Sequence, residues 1–148
     1  TLDASTRATR GAGLWLGTQL GAVAATGDVS ITSTTGAISL TGSGTDAGGT
    51  GFRHGLMLRN QFSGDDILLR STSGAITLDG QASGAGPAGM QVGATDVLAA
   101  SGDIQLIGGN SLALVNWPAN SGVTLGSKAG SVVSSSTAAA NFGRTGAN

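Results

Sequence analysis

The sequence has no cysteine, no tyrosine and no glutamate, and only 10% of its 148 residues are charged. The missing cysteine excludes a disulfide framework and a thiolate metal site. No apolar run approaches the roughly 18 residues of a membrane-spanning helix, so no membrane span is predicted. The formal net charge of −1 gives no electrostatic reason to expect a nucleic-acid partner.

Glycine is abundant instead, with 27 residues, and this favours a chain that turns often. Between the glycines, apolar residues stand two apart in short runs, which predicts β-strands with one buried face. No run has convincing helical spacing, so the predicted fold class is all-β. The alternating pairs are Leu14/Leu16, Val29/Ile31, Ile38/Leu40, Leu56/Leu58, Ile76/Leu78, Ile104/Leu106 and Val123/Leu125.

Similar strand sequences return along the chain in three sets, spaced 33 to 42 residues apart. The first set is GDVSIT, DDILLR and GDIQLI, and the second is GAISLTG, GAITLDG and NSLALV. The third set is GLWLG, GLMLR, GMQVG and GVTLG, and its members begin at Gly13, Gly55, Gly89 and Gly122. These columns predict one segment over 1–148, built of units of about 37 residues, with residues 1–12 completing a preceding unit.

Short strands of this kind cannot bury a face alone, but stacked coils can bury them on one another. We therefore predict a parallel β-solenoid with neighbouring coils about 4.8 Å apart. If a coil takes about 19 residues, each unit is two coils and the chain has about eight. The rival is an antiparallel sandwich or barrel, which would not require like side chains to recur in columns.

The pattern G-[LMV]-x-[LV], followed by [TS]-G-D-[VI]-x-[IL] and [TS]-G-A-I-[ST]-L, resembles the repeat tracts of filamentous-haemagglutinin-like bacterial exoproteins. The resemblance covers nearly the whole chain and is one of repeat style. It implies a right-handed β-helical rod, secreted or held at the bacterial surface by a dedicated outer-membrane partner. It also implies roles in adhesion, biofilm and cell contact, with no catalysis.

No catalytic, cofactor-binding or metal-binding residue is predicted. Parallel β-helices include polysaccharide-cleaving enzymes, but the acids Asp28, Asp66 and Asp103 recur once per unit, about 9.6 Å apart on a two-coil unit. A recurring column favours a turn role, in which each carboxylate accepts a backbone N–H before its strand. A calcium site at Asp65 and Asp66 is the weaker alternative.

Two tryptophans are the candidate surface contacts, Trp15 and Trp117. Trp15 stands between the inward Leu14 and Leu16, so it is expected to face outward and to start a surface stripe. That stripe would continue through Met57, Gln91 and Thr124, and an outward tryptophan can stack on a sugar ring. His54 is expected to be a loop residue, and the arginines Arg53, Arg59 and Arg70 to be solvated.

The chain opens on TLD, the second half of the internal motif GAITLD, and closes on GAN. Joining the ends gives GANTLD, so an end-to-end junction is predicted at Thr1, Leu2, Asp3, Gly146, Ala147 and Asn148. The predicted function is a structural segment of an extracellular filament or adhesin rod that stacks on copies of itself or continues in the same chain. Glycans or other cells are the expected targets, and a carbohydrate-binding or polysaccharide-cleaving β-helix is the alternative.

Overall fold

The computed structural model describes residues 2–6, 12–17, 28–45, 54–59, 66–83, 89–93, 95–109, 111–116, 123–136 and 139–145. These residues form fourteen strands and contain no helix, hence none that could cross a membrane. In chain order the strands are β1 (Leu2–Thr6), β2 (Leu14–Leu16), β3 (Val29–Ser33), β4 (Ile38–Thr45), β5 (Leu56–Leu58), β6 (Ile67–Ser71), β7 (Ile76–Ser83), β8 (Met90–Val92), β9 (Thr95–Ala99), β10 (Ile104–Gly108), β11 (Ser111–Asn116), β12 (Val123–Ser127), β13 (Val132–Ser136) and β14 (Ala139–Thr145).

The all-β prediction is confirmed, and all seven alternating apolar pairs lie in strands. The alternation has the predicted physical basis, because successive side chains of a strand point to opposite faces. In β10, for example, Ile104 and Leu106 are buried while Gln105 between them is exposed. Gly17 follows β2 with a φ of 119°, a conformation that residues with a Cβ rarely adopt.

The strands form three parallel sheets, and each sheet takes every third strand. Sheet A has the order β1-β4-β7-β10-β13, sheet B has β2-β5-β8-β11-β14, and sheet C has β3-β6-β9-β12. Every described strand pair is parallel. This topology is compatible with a β-solenoid, and it is not that of the antiparallel sandwich or barrel considered as the rival.

The strand pairing corrects the predicted coil of about 19 residues. In sheet A, Leu2 pairs with Leu40 and Leu40 with Leu78, a return after 38 residues, and Leu78 pairs with Leu106, a return after 28. Each return passes through one strand of each sheet. A repeat unit therefore spans one circuit of three strands, because the short strands place three glycine-rich corners in each circuit.

The predicted columns hold over the first two units and then fail. Leu40 and Leu78 pair as expected, but the next partner is Leu106 of β10, not Leu114 of β11. Likewise, Met90 pairs with Leu112, while Val123, the expected fourth member of that column, lies in sheet C. The strand motif is nearly the same in all three sheets, so sequence likeness alone does not identify a strand's neighbour.

The lengths of the connections explain the change of period. The four connections from sheet C to sheet A, at 34–37, 72–75, 100–103 and 128–131, have four residues each. The connections from sheet B to sheet C instead shorten from 17–28 to 59–66 and then to 93–94. Insertions on either side of sheet B therefore account for the longer early circuits, while the corner between sheets C and A keeps its form.

One hydrophobic core lies among the sheets and draws side chains from all three. Each fully buried aliphatic side chain contributes roughly 1.5–3 kcal/mol relative to an exposed one. Burial is complete in the middle circuits and weaker at the first and last, where Val29, Ile31, Val123 and Leu125 are only half-buried. The core residues are Leu14, Ile38, Leu40, Leu56, Leu58, Ile67, Leu69, Ile76, Leu78, Met90, Val92, Val97, Ala99, Ile104 and Leu106.

Candidate functional site

The two ends of the stacked sheets are the first candidate site, because each end presents sheet edges. At one end the edge strands are β1, β2 and β3, and at the other they are β13, β14 and β12. An edge strand of a parallel sheet offers unpaired N–H and C=O groups to another strand. The three sheets thus present unlike edges at their two ends, which can pair with one another but not each with its own kind in parallel.

The edge strand β13 carries the exposed large hydrophobic side chains found among the described residues. Val132 is 45% exposed and Val133 is 52% exposed. Val132 pairs with Ile104, which is 0% exposed in the circuit before it. Val132 therefore occupies a core column, and its exposure arises because no further described strand of sheet A follows β13.

The predicted junction residues fall partly on this surface. Leu2 and Asp3 lie in β1, the edge strand of sheet A opposite β13. Thr1, Gly146, Ala147 and Asn148 lie outside the described residues. The junction therefore stays a prediction.

The acidic column takes a different form from the predicted one. Asp28 and Asp66 are neighbours in successive circuits, so they are one strand spacing apart and not two. Asp103 instead precedes β10 and lies in the row of sheet A. The carboxylate oxygen Oδ1 of Asp28 accepts the N–H of Asp66 at 3.0 Å, and that of Asp103 accepts the N–H of Ser131 at 2.8 Å.

These bonds assign the aspartates a role between circuits, where the sequence predicted a local turn within one. Each carboxylate accepts an N–H from the start of the next circuit and so adds one bond to the stacking of the sheets. Asp65 of the proposed calcium pair lies outside the described residues. Among the described residues, no group of three His, Cys, Asp or Glu side chains could hold a metal ion.

The corner between sheets C and A has a serine device that the sequence analysis missed. In Ser33-x-x-Gly36, Ser71-x-x-Gly74 and Ser127-x-x-Gly130, the serine Oγ accepts the N–H of the glycine three residues later. The hydroxyls of Ser71 and Ser127 also donate to the glycine carbonyl of the preceding circuit. The signal was present as a recurring S-x-x-G, whose spacing matches the four-residue corner.

This serine column has one gap, at Ala99, which pairs with Ser71 on one side and Ser127 on the other. We expect Ser71→Ala to lower the free energy of unfolding by about 2 kcal/mol, because it removes two hydrogen bonds at a buried position. We expect Ala99→Ser to raise it by about 1 kcal/mol, since the new hydroxyl can bond Gly102 and Gly74 as its neighbours do.

Urea unfolding followed by circular dichroism measures both changes. Each variant controls for the other, because one removes and one adds the same hydroxyl in the same column. If Ala99→Ser destabilises the chain as much as Ser71→Ala does, the corner is not a repeated device.

The row Trp15–Met57–Gln91 runs across sheet B as predicted, but it is not an exposed stripe. Met57 pairs with Trp15 and with Gln91. Met57 is only 1% exposed, and Trp15 and Gln91 are half-buried. Thr124, the expected fourth member, is exposed but lies in sheet C.

Polar atoms are buried along the same row. The Trp15 indole nitrogen Nε1 and the Gln91 oxygen Oε1 are both buried and have no hydrogen-bond partner in the structure. Arg59 follows β5 and is half-buried, and this burial lowers its pKa from the ordinary value. The outer face of sheet B is therefore covered, because side chains that point away from the core are buried there.

Other candidate residues take less distinctive positions. His54 is 5% exposed, so it is buried and not an open loop residue. Arg70 is exposed as predicted, whereas Arg59 is not fully solvated. Trp117 and Arg53 lie outside the described residues, so their predicted roles stay predictions.

The class of protein that these observations define is an all-β chain of parallel sheets, compatible with a β-solenoid. No protein-family model, curated protein or solved structure matches the chain significantly. The likeness to filamentous-haemagglutinin-like repeats therefore rests on the repeat pattern alone.

Proposed function

We propose that this chain is a right-handed β-solenoid segment of an extracellular filament or adhesin rod, with a structural role. Each circuit contains one strand of each sheet, so sheets A and B pass through five circuits and sheet C through four. At about 4.8 Å per strand, the five strands of sheet A extend about 19 Å along the rod axis. The right hand and the location are what the repeat resemblance implies.

The observation that carries the proposal is the open edge at each end of the three parallel sheets. A stack of this kind is lengthened by adding circuits, and no geometric feature of a parallel sheet sets its length. Heterologous end-to-end contacts that do not close produce open filaments. The partner is therefore another stretch of the same repeat, in a second copy or in a continuing chain.

Attachment to surfaces, biofilm or other cells is the proposed use of such a rod. The carbohydrate-binding or carbohydrate-cleaving alternative depended chiefly on Trp15 as an exposed platform. Trp15 is half-buried and its row neighbour Met57 is buried, so the described part of sheet B offers no open aromatic surface. We therefore give the structural role precedence.

The test is the shape of the purified 148-residue chain as its concentration rises. We expect negative-stain electron microscopy to show unbranched rods that lengthen with concentration, and fibre diffraction from aligned rods to show a meridional reflection near about 4.8 Å. The strand spacing must lie along the rod. Particles that stay one chain long at every concentration would overturn end-to-end assembly.

A further inference from the structure

The last strand of sheet A is an edge without the features that normally protect one. Natural edge strands carry charged residues or proline, or are twisted away or covered. Strand β13 reads VVSSS, so it has neither charge nor proline. It also exposes Val132, whose column is otherwise buried, and Val133 on the opposite face of the strand. An exposed apolar edge of this kind favours pairing with another strand.

The hydrogen bonds of sheet A show what that strand must supply. The N–H groups of Ile38, Ile76 and Ile104 each donate to a carbonyl of the following circuit, all at 2.9 Å. Val132 is the next member of this column. A strand placed on β13 therefore has to be parallel and to come from the opposite edge of such a sheet, which in this chain is β1.

We infer that β13 docks against β1 of a second copy of this chain, continuing sheet A in register. This inference rests on the proposed filament and names its contact. The column Leu2, Leu40, Leu78, Leu106, Ser134 fixes the register, because each member pairs directly with the next. Extending it places Ser134 beside Leu2 of the next copy, and Ser135 beside Asp3.

The absence of cysteine makes this register measurable by cross-linking. In the double variant Asp3→Cys/Ser135→Cys, the two introduced cysteines of adjacent copies have Cα atoms about 5 Å apart, within the range of a disulfide. We expect mild oxidation to convert most of the protein into a ladder of dimers, trimers and longer chains on non-reducing gels. Reduction should return it to monomers.

Two matched variants make the result specific. In Asp3→Cys/Val133→Cys the second cysteine is two residues out of register, about 8 Å away and beyond disulfide reach, so we expect at least about fivefold less cross-linking. The single variant Ser135→Cys should give no ladder. Equal ladders from the two double variants would overturn the register, and dimers from Ser135→Cys alone would show a tail-to-tail contact instead.

Failure of the inference can be told apart from failure of the proposed function. If Asp3→Cys/Ser135→Cys forms rods but gives no disulfide ladder, copies assemble through another surface. The inferred β13–β1 contact is then wrong while the filament stands. Single-chain particles that do not cross-link overturn both.

Discussion

Replacing Gly102 with alanine is expected to lower the melting temperature by roughly 10 °C, which corresponds to about 3 kcal/mol in a chain of this size. A Cβ at this position would lie 2.5 Å from the carbonyl carbon and oxygen of Gly74, and 2.5 Å from the nitrogen of Ala75. These are backbone atoms of the neighbouring circuit, so they can move only if the circuits separate. Overpacking of this kind costs about 1–3 kcal/mol or more.

Gly36 is the matched control, because it occupies the same corner in the first complete turn from sheet C to sheet A. A Cβ there meets only the Ser33 hydroxyl, at 3.5 Å, which is ordinary van der Waals contact. We expect Gly36→Ala to change the melting temperature by less than about 3 °C. Thermal unfolding followed by circular dichroism measures both variants. Equal losses would show that glycine is needed for corner conformation and not for close stacking.

The second large effect is expected for Ile104→Ala, which should lower the free energy of unfolding by about 3 kcal/mol. Ile104 is 0% exposed and stands between Ile76 and Val132 in one column of sheet A. Truncation leaves a cavity in the middle of the stack, and the loss combines transfer and cavity terms. Urea unfolding at low protein concentration gives the value.

Val132→Ala is its control, one circuit along the same column. Val132 is 45% exposed, so truncation should cost less than about 1 kcal/mol in the single chain. At concentrations where rods form, the cost should rise, because a neighbouring copy would then cover the end of the stack. A large loss from Val132→Ala in dilute single chains would contradict the view that the described core is open at β13.

The strands were predictable from sequence because their signal is local. Alternation such as Ile76/Leu78 decides which face of a strand is buried, whichever sheet the strand joins. The corners were also visible, since glycine recurs where circuits approach too closely for a Cβ, as at Gly102. The serine hydroxyls of the same corners went unnoticed because S-x-x-G resembles ordinary loop composition until the partner circuit is known.

The covered face of sheet B could not be predicted from strand patterns. Period-two spacing places Met57 on the outer face, and the structure agrees with this orientation. What the pattern cannot state is whether another part of the molecule lies over that face. Met57 is 1% exposed only because of such packing, which depends on contacts between residues distant in the chain.

The sequence by itself determined that the chain is all-β, that its short strands are one-sided, and that glycine-rich corners join them. Only the tertiary structure decided which strands are neighbours, and therefore that Leu78 pairs with Leu106 and not with Leu114. The reason is that a strand's identity is written within a few residues, whereas its partner depends on the length of a whole circuit. That length falls from 38 to 28 residues when the connections beside sheet B shorten, while the strand motifs stay the same.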